Sequence, residues 1–195
     1  PKTGPAQRDT LRQWHRLGVK VGFVVYDLLP VQYPNFFLPN AAQEFTPWLE
    51  TVAEFDAAYC ISHTTRDALQ LWLQQQPDRP QPALHWFHLG ADVEQSMPTQ
   101  GLPENARQLL DQLEHTPGFL MVGTLEPRKG HAQVLDAFEH LWHGGHALHL
   151  IIVGKQGWMV DELAQRLANH PEQASQLHWL QGVSDEYLSR LYESS

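Results

Sequence analysis

Arg128 and Lys129 are two adjacent cations in a turn that could bind phosphate. An unbroken apolar run, Phe119 to Val122, precedes the turn and predicts a strand buried on both faces of a parallel sheet. Gly123 ends this run, and apolar residues recur at helical spacing beyond Gly130. A helix amino end therefore points at the turn, where unpaired N–H groups and the helix dipole favour an anion. The residues alone leave two interpretations, a phosphate site and a solvated cationic pair.

The turn matches neither of two common phosphate-binding loops. A Walker A loop has Gly-Lys followed by Ser or Thr, whereas here Lys129 precedes Gly130 and His131 follows. The dinucleotide fingerprint has three glycines at fixed offsets, which this turn lacks. The turn therefore belongs to neither class.

Three stretches in the second half of the chain resemble one enzyme family. They are VGTLEPRKGHAQVLDAFEHL from Val122, LHLIIVGKQGWMVDEL from Leu148 and LHWLQGVSDEYLSRLY from Leu177. In order and spacing they are similar to three successive strand-helix units in the second domain of the family 4 (group 1) retaining glycosyltransferases of GT-B architecture. The likeness is greatest to bacterial mannosyltransferase-like members that build surface polysaccharide.

This resemblance implies a function and a set of site residues. The function is transfer of a hexosyl group, with mannosyl favoured, from a nucleotide diphosphate sugar to a polysaccharide or lipid-linked glycan with retention. The residues implied for the donor phosphates are Gly123, Thr124, Arg128 and Lys129. Those implied for the nucleotide pocket are Gly154, Lys155 and Val183. Many relatives carry Arg at the Thr124 position, and glycines that end strands are by themselves ordinary turn residues.

Tyr26 and Asp27 are the catalytic candidates of the first half. They follow a Val- and Phe-rich run from Val19, which predicts a parallel strand with both residues at its carboxyl end. Ligands of open α/β sheets bind at that edge. Many relatives of the resembled family have His where this chain has Tyr26, while Asp27 matches them. The alternative for Asp27 is that it caps the following turn.

The rest of the first half alternates helical and strand patterns. Val31 to Asn40 is too broken for a regular element and is interpreted as an acceptor-side loop or a packed surface loop. Helical spacing returns around Trp48, with Pro47 marking a start or a kink. A further helix is predicted near Thr64 from the capping-box spacing of Thr64 and Asp67, and Ser62 is expected to act as a cap.

Two more helices are predicted near the end of the chain. Met159, Leu163 and Leu167 recur at helical spacing and define an apolar stripe. Ser184 is expected to be the N-cap of the last helix.

The predicted fold class is α/β of GT-B type, with two Rossmann-like parallel-sheet domains. A Pro- and Gly-containing stretch near Gly101 divides residues 1–100, the acceptor-side part, from residues 101–195, the nucleotide-sugar-binding part. His88 to Asp92 resembles the family's crossing between domains. Each domain is expected to be incomplete, because the first strands of the amino domain would precede Pro1 and the family's acidic donor motif would follow Ser195. The chain alone is therefore expected not to catalyse transfer.

Four histidines at every third position, His140 to His149, invite a metal-site interpretation. Gly144 and Gly145 interrupt any common helix, and no Cys or carboxylate cluster completes a ligand set. Solvated helix-end and turn histidines are the preferred account. We therefore predict no metal, and the resemblance likewise implies no cofactor beyond the nucleotide diphosphate sugar.

Composition limits the partners of the chain. A formal net charge of -9 disfavours nonspecific electrostatic binding of nucleic acid. A single cysteine, Cys60, excludes an internal disulfide and favours a reducing compartment, and no apolar run is long enough to span a bilayer. We expect a cytoplasmic protein, with possible peripheral contact at the inner face of the cell membrane. A non-catalytic nucleotide- or phospholigand-binding module and a GT-B sugar epimerase remain alternative functions.

Overall fold

The computed structural model describes residues 7–90 and 97–195. The chain forms two compact units, Pro1–Asp92 and Val93–Ser195. Ala91 and Asp92, the end of the predicted crossing segment, lie outside the described residues. The predicted assignment of the two parts to acceptor and donor stays a prediction.

The first unit is built around a parallel three-stranded sheet in the order β1-β2-β3. Its elements are α1 (Arg8–Arg16), β1 (Gly22–Val25), α2 (Leu29–Gln32), a 3-10 helix (Pro34–Phe36), α3 (Ala41–Glu54), β2 (Ala57–Cys60), α4 (His63–Gln74) and β3 (Ala83–Trp86). Val25 pairs with Cys60, and Cys60 pairs with Trp86, so the carboxyl ends of the three strands are level. The core joins these strands to apolar residues of α3 and α4. Because of this register, the loops that follow the three strands all lie at the same edge of the sheet.

The structure corrects three local predictions in this unit. Val31 to Asn40, predicted to be irregular, contains the end of α2 and a 3-10 helix. These helices can form because Pro30 and Pro34 occupy first-turn positions, where the backbone needs no N–H donor. Pro47 does not start α3, the first of its two predicted roles, but lies inside the helix, where the burial of Leu49 and Val52 offsets the lost hydrogen bond. The capping-box prediction of Thr64 with Asp67 is wrong.

Ser62 is the N-cap of α4, as predicted for this residue. Its hydroxyl accepts a hydrogen bond from Thr65 N at 3.1 Å. A side-chain oxygen at this position satisfies one of the N–H groups that a helix start leaves unpaired. The helix therefore begins at His63, directly after the end of β2.

The second unit also contains a parallel three-stranded sheet, in the order β4-β5-β6. Its elements are α5 (Ala106–Leu113), β4 (Gly118–Val122), a 3-10 helix (Pro127–Lys129), α6 (His131–His143), β5 (His149–Val153), α7 (Asp161–Ala168), β6 (Leu177–Leu180) and α8 (Asp185–Ser194). Leu150 and Ile152 pack with α6 and α7, whereas Ile151 and Val153 pack with α5 and α8. Helices thus cover both faces of β5, and the predicted parallel sheets are confirmed.

Two predictions about burial in the second unit are wrong. The run beginning at Phe119 was expected to be buried on both faces, but Phe119 and Val122 are exposed because β4 is the outer strand of the described sheet. The fully buried strand is β5 instead. Met159 was expected on the apolar stripe of α7, yet it is exposed with a positive φ before the helix, and Val160 is buried.

Polar side chains tie the predicted linker region to the amino end of α8. Ser184 caps this helix by accepting from Tyr187 N, as predicted. Asp185 accepts hydrogen bonds of 2.8 Å from both the N–H and the hydroxyl of Thr99, and these bonds lower the pKa of its carboxyl. Glu186 accepts from Gly101 N. These bonds hold Thr99 and Gly101 in the second unit.

His149 and His178 form a buried pair across β5 and β6. His149 Nδ1 lies 3.1 Å from His178 Nε2. The expectation that His149 is a solvated turn residue is therefore wrong, since the side chain lies within the sheet. Burial lowers the pKa of His149, and burial together with the neighbouring imidazole lowers the pKa of His178 to about 4. Both rings are therefore neutral at pH 7.

We expect the folded protein to lose stability as the pH falls from about 6.5 to about 4. An unfolded histidine protonates near the upper limit of this window, whereas folded His178 stays neutral to about pH 4. The unfolded state therefore binds more protons, and acid favours it. A shift of this size corresponds to on the order of 3 kcal/mol. Urea unfolding at a series of pH values measures the free energy of unfolding directly.

The control for this pH dependence is a second histidine of the same region. His178→Gln should flatten the slope of unfolding free energy against pH, whereas His146→Gln should leave it unchanged, because His146 is exposed. A wild-type slope in His178→Gln would contradict the assignment to the buried pair.

Candidate functional site

Gly123 and Lys129 meet at the carboxyl end of β4. Gly123 has a φ of 142°, a conformation that favours glycine. A Cβ atom on Gly123 would lie 2.8 Å from Lys129 Nζ. The ammonium group thus rests against the bare backbone of Gly123, and the absence of a side chain there makes this position possible. The turn folds the cation back over the end of its own strand.

The amino end of α6 lies immediately beyond Lys129. Gly130 is the N-cap with a φ of 73°, and it offers no side chain to the first N–H groups. These groups have no intrahelical partner, so they remain available to an anion. The predicted strand, turn and helix are therefore present, with a helix start and an ammonium group adjacent.

The loops after β4 and β5 run side by side beyond the ends of the two strands. Gly123 N donates to Val153 O at 2.8 Å, and Leu125 N donates to Lys155 O at 2.9 Å. Gly157 N in turn donates to the carbonyl of Leu125 at 3.0 Å. These bonds make the two loops one rigid backbone platform at the carboxyl edge.

Gly154 is the point of closest approach between these loops. A Cβ atom there would overlap the Gly123 carbonyl oxygen and lie 2.6 Å from its carbon. The Gly154 carbonyl accepts a hydrogen bond of 2.9 Å from Trp179 Nε1, which fixes the loop on the side of β6. Lys155 is exposed next to it.

We expect Gly154→Ala to destabilise the second unit by about 3 kcal/mol or more, above the ordinary range for overpacking because the neighbour is backbone. The methyl group meets a carbonyl that cannot rotate away without breaking the loop pairing. Chemical denaturation measures the loss. The matched control is Gly90→Ala, because nothing lies within 4 Å of its would-be Cβ and its φ is not in the left-handed range. Equal stability of the two variants would contradict the close approach.

Arg128 is paired with a buried carboxylate. Its Nη2 lies 2.8 Å from Glu126 Oε2, and only 7% of the Glu126 side chain is exposed. The guanidinium therefore already has a counter-charge, whereas no carboxylate lies within 4 Å of Lys129 Nζ among the residues that the structure describes. Contact of Arg128 with a donor phosphate stays a prediction.

Thr124 and Val183, the other two residues predicted to contact the donor, have different surroundings. Thr124 is half-buried, and its methyl group lies 3.0 Å from the would-be Cβ of Gly157. Val183, just after β6, packs against the core formed with α5 and α8. Together with Gly154 and Lys155, they lie in loops at the carboxyl edge of one sheet. Their nucleotide contacts stay predictions.

His131 is a further candidate residue of this site, and no sequence motif points to it. It is 2% exposed as the first residue of α6, and its Nδ1 has no hydrogen-bond partner among the described residues. Burial, and then the charge of Lys129, lower the pKa of its imidazole. It lines a cavity of about 800 Å³ between the amino ends of α6 and α7. A neutral imidazole behind Lys129 could have been suspected only from its place next to the turn.

Tyr26 and Asp27 lie at the carboxyl end of β1 in the first unit. Asp27 Oδ1 accepts a hydrogen bond of 3.1 Å from Leu29 N, which is the turn-capping role considered as the alternative. Tyr26 is 59% exposed, and its carbonyl accepts from the Thr65 hydroxyl at 3.2 Å. The Asp27 side chain is thus held by a local turn, and the Tyr26 backbone is held by the start of α4. Their catalytic roles stay predictions.

No group of three or more His, Cys, Asp or Glu side chains within residues 7–90 and 97–195 could hold a metal ion. In the same part of the chain, no helix has the length and apolarity needed to cross a membrane.

Comparisons with known proteins give a consistent picture. Residues 104–195 match the family of Glycosyl transferases group 1. The chain is 44% identical to the serotype-specific mannosyltransferase WbdA of Escherichia coli over 97% of its own length and 23% of that relative. A second WbdA sequence is 45% identical over 89% of the chain and 22% of the relative. The chain thus spans less than a quarter of the length of these relatives.

Two solved structures share the fold. An α,α-trehalose-phosphate synthase (UDP-forming) from Burkholderia vietnamiensis has a TM-score of 0.59 and 12% identity, over 93% of this chain and 46% of that one. The α,α-trehalose 6-phosphate synthase from Burkholderia multivorans has a TM-score of 0.61 and 16% identity, over 98% and 47%. At such identities the likeness concerns the fold alone, and the predicted α/β class of GT-B type is confirmed.

Proposed function

Because the chain is related to the group 1 glycosyl transferases and carries their domain in residues 104–195, we propose that the protein transfers a mannosyl group from a nucleotide diphosphate sugar to a glycan acceptor. The transfer proceeds with retention at the sugar carbon. The choice of mannose follows the relatives, which are named serotype-specific mannosyltransferases. The acceptor in this proposal is a polysaccharide or a lipid-linked glycan. The protein acts in the cytoplasm, at the inner face of the cell membrane when the acceptor carries a lipid.

The strongest support for this proposal is the position of the Lys129 ammonium group. It lies against Gly123, beside the start of α6, where no side chain caps the helix. When the bond between sugar and diphosphate breaks, negative charge develops on the leaving phosphate. A preorganised cation and backbone N–H groups stabilise that charge more in the transition state than in the ground state. Lys129 therefore takes the role of electrostatic catalyst.

The Glu126–Arg128 pair suits a supporting role for Arg128. A buried carboxylate 2.8 Å from the guanidinium offsets its charge and fixes its position. Since Glu126 and Arg128 flank Pro127 in the same turn, the pair also holds the 3-10 helix that carries Lys129. Lys129 is then the main phosphate contact, with Thr124 and Arg128 adding weaker ones.

The nucleotide is placed along the same edge of the second sheet. Gly154 and Lys155 follow β5, and Val183 follows β6. All three therefore lie on loops at the carboxyl ends of the strands, where open α/β sheets bind nucleotides. Gly154 keeps the surface flat, and Val183 offers an apolar contact to the base. Tyr26 and Asp27 serve the acceptor from the equivalent edge of the first sheet.

A donor and acceptor assay tests the proposal. The whole gene product is incubated with radiolabelled mannose or glucose carried on each nucleoside diphosphate, together with a mannose trisaccharide. Labelled oligosaccharide from a mannosyl donor is the expected result. Donor binding without any product would favour the non-catalytic phospholigand module, and a change in the free sugar nucleotide itself would favour an epimerase. The comparisons favour neither alternative.

A further inference from the structure

Trp86, His63 and His88 form a ring cluster at the carboxyl edge of the first sheet. Trp86 is the last residue of β3, and His63 is the first residue of α4, which follows β2. The centroid of the Trp86 indole lies 4.2 Å from that of the His63 imidazole and 5.1 Å from that of His88. Trp86 is 39% exposed, and both histidines also lie at the surface. The cluster therefore presents an aromatic surface and imidazole nitrogens together.

Hydrogen bonds connect this ring cluster to the predicted acceptor residues. The hydroxyl of Thr65 donates to the carbonyl of Tyr26 and also lies 3.0 Å from the Ser62 hydroxyl. The end of β1 is thus tied to the first turn of α4, the turn on which His63 stands. Tyr26, Asp27 and the ring cluster consequently share one edge of one sheet.

The chemistry of the ring cluster suits a sugar ring. Among the described residues, neither His63 nor His88 has a protein hydrogen-bond partner for its ring nitrogens, so both can donate to or accept from hydroxyl groups. The exposed part of the indole offers an apolar π surface to the C–H groups of a pyranose. An aromatic surface with a few convergent polar groups is the usual composition of a small-molecule site. Within residues 7–90 and 97–195 no third metal ligand joins the two imidazoles, so the described side chains do not make a metal site.

We infer that Trp86, His63 and His88 form a subsite for one sugar ring of the glycan acceptor. The inference rests on the proposed glycosyl transfer and adds to it a specific place for acceptor binding. Trp86 supplies the stacking surface, and the two imidazoles select hydroxyl groups around it.

Acceptor kinetics of the whole gene product test the inference, with a mannose trisaccharide as the probe. Trp86→Ala should raise the KM for the trisaccharide about tenfold and leave the KM for the sugar nucleotide unchanged, because only acceptor binding is lost. Trp86→Phe, which keeps an aromatic ring, should recover most of the affinity. The matched control is Trp14→Ala, since Trp14 is an exposed indole of the same unit on α1. An unchanged acceptor KM in folded Trp86→Ala overturns the inference.

Direct binding separates this inference from the proposed function. Saturation-transfer NMR with the trisaccharide reports binding whether or not transfer occurs. If no sugar nucleotide supports transfer, the proposed function fails, and the NMR signal still decides the subsite. A signal that is lost in Trp86→Phe/His63→Ala but kept in Trp14→Ala supports it, and a signal that persists in both overturns it. The double variant also serves if Trp86→Ala does not fold.

Discussion

Lys129→Ala should lower kcat at least about 100-fold, the loss typical of one preorganised donor at a developing oxyanion. The physical reason is that Lys129 Nζ lies against Gly123, beside helix N–H groups that no side chain caps. A hundredfold change corresponds to about 2.7 kcal/mol of transition-state stabilisation. Steady-state kinetics with saturating acceptor measure it. Folding stability should change by less than about 0.5 kcal/mol, because the residue lies on the surface turn.

The control for Lys129 is another lysine of the chain. Lys20 is an exposed lysine whose ammonium donates a hydrogen bond of 2.8 Å to Asp56. This bond, together with one from Val21 N, lowers the pKa of the Asp56 carboxyl to about 2. Lys20→Ala should leave kcat within about twofold of the wild type. Lys129→Arg places a bulkier guanidinium group against Gly123. We therefore expect this variant to keep only part of the wild-type kcat. Wild-type turnover in Lys129→Ala would remove this lysine from the mechanism.

Gly123→Ala should lower kcat about tenfold or more without touching a charged residue. The added methyl group would lie 2.8 Å from Lys129 Nζ, so the ammonium must move away from the end of β4. Small misplacements of a catalytic group are costly, because the charge no longer faces the leaving phosphate. The positive φ of Gly123 adds backbone strain of about 1 kcal/mol or more. Kinetics and thermal unfolding should be measured on the same preparation.

Backbone strain and displacement of the ammonium can be separated. Gly145 also has a positive φ, of 81°, but nothing lies within 4 Å of its would-be Cβ. Gly145→Ala should therefore lower stability and leave kcat unchanged. In the Gly123→Ala/Lys129→Ala double variant, the losses in kcat should not add, because both substitutions act through one ammonium group. Additive losses would show that Gly123 contributes independently of Lys129.

The elements around the turn were predictable because their signals are local. The apolar run ending at Gly123 and the helical spacing beyond Gly130 show a strand and a helix within a short window. Ser62 and Ser184 were correctly identified as caps for the same reason, since a cap bonds to an N–H three residues away. Pro47 was misleading as a signal for a helix start, because burial of the apolar side of α3 overrides the local cost of proline.

The candidate site was predictable only in part. The residues of the turn were identified by resemblance and by charge, yet the pairing of Arg128 with buried Glu126 was not foreseen. Asp27 was placed correctly at a strand end, where the observed bond to Leu29 N is the local capping alternative. The cluster of Trp86, His63 and His88 has no common motif, because its members come from the start of α4, the end of β3 and the segment after β3.

Taken by itself, the sequence determined the α/β class, the parallel sheets, the single cysteine and the position of the cationic turn. Residue order and spacing carry that information along the chain. Only the tertiary structure decided that β4 is the outer strand of the described sheet, and that His149 meets a histidine 29 residues away. It alone decided that Lys129 folds over Gly123. These facts depend on contacts between side chains and backbone that only packing brings together, so no window of sequence contains them.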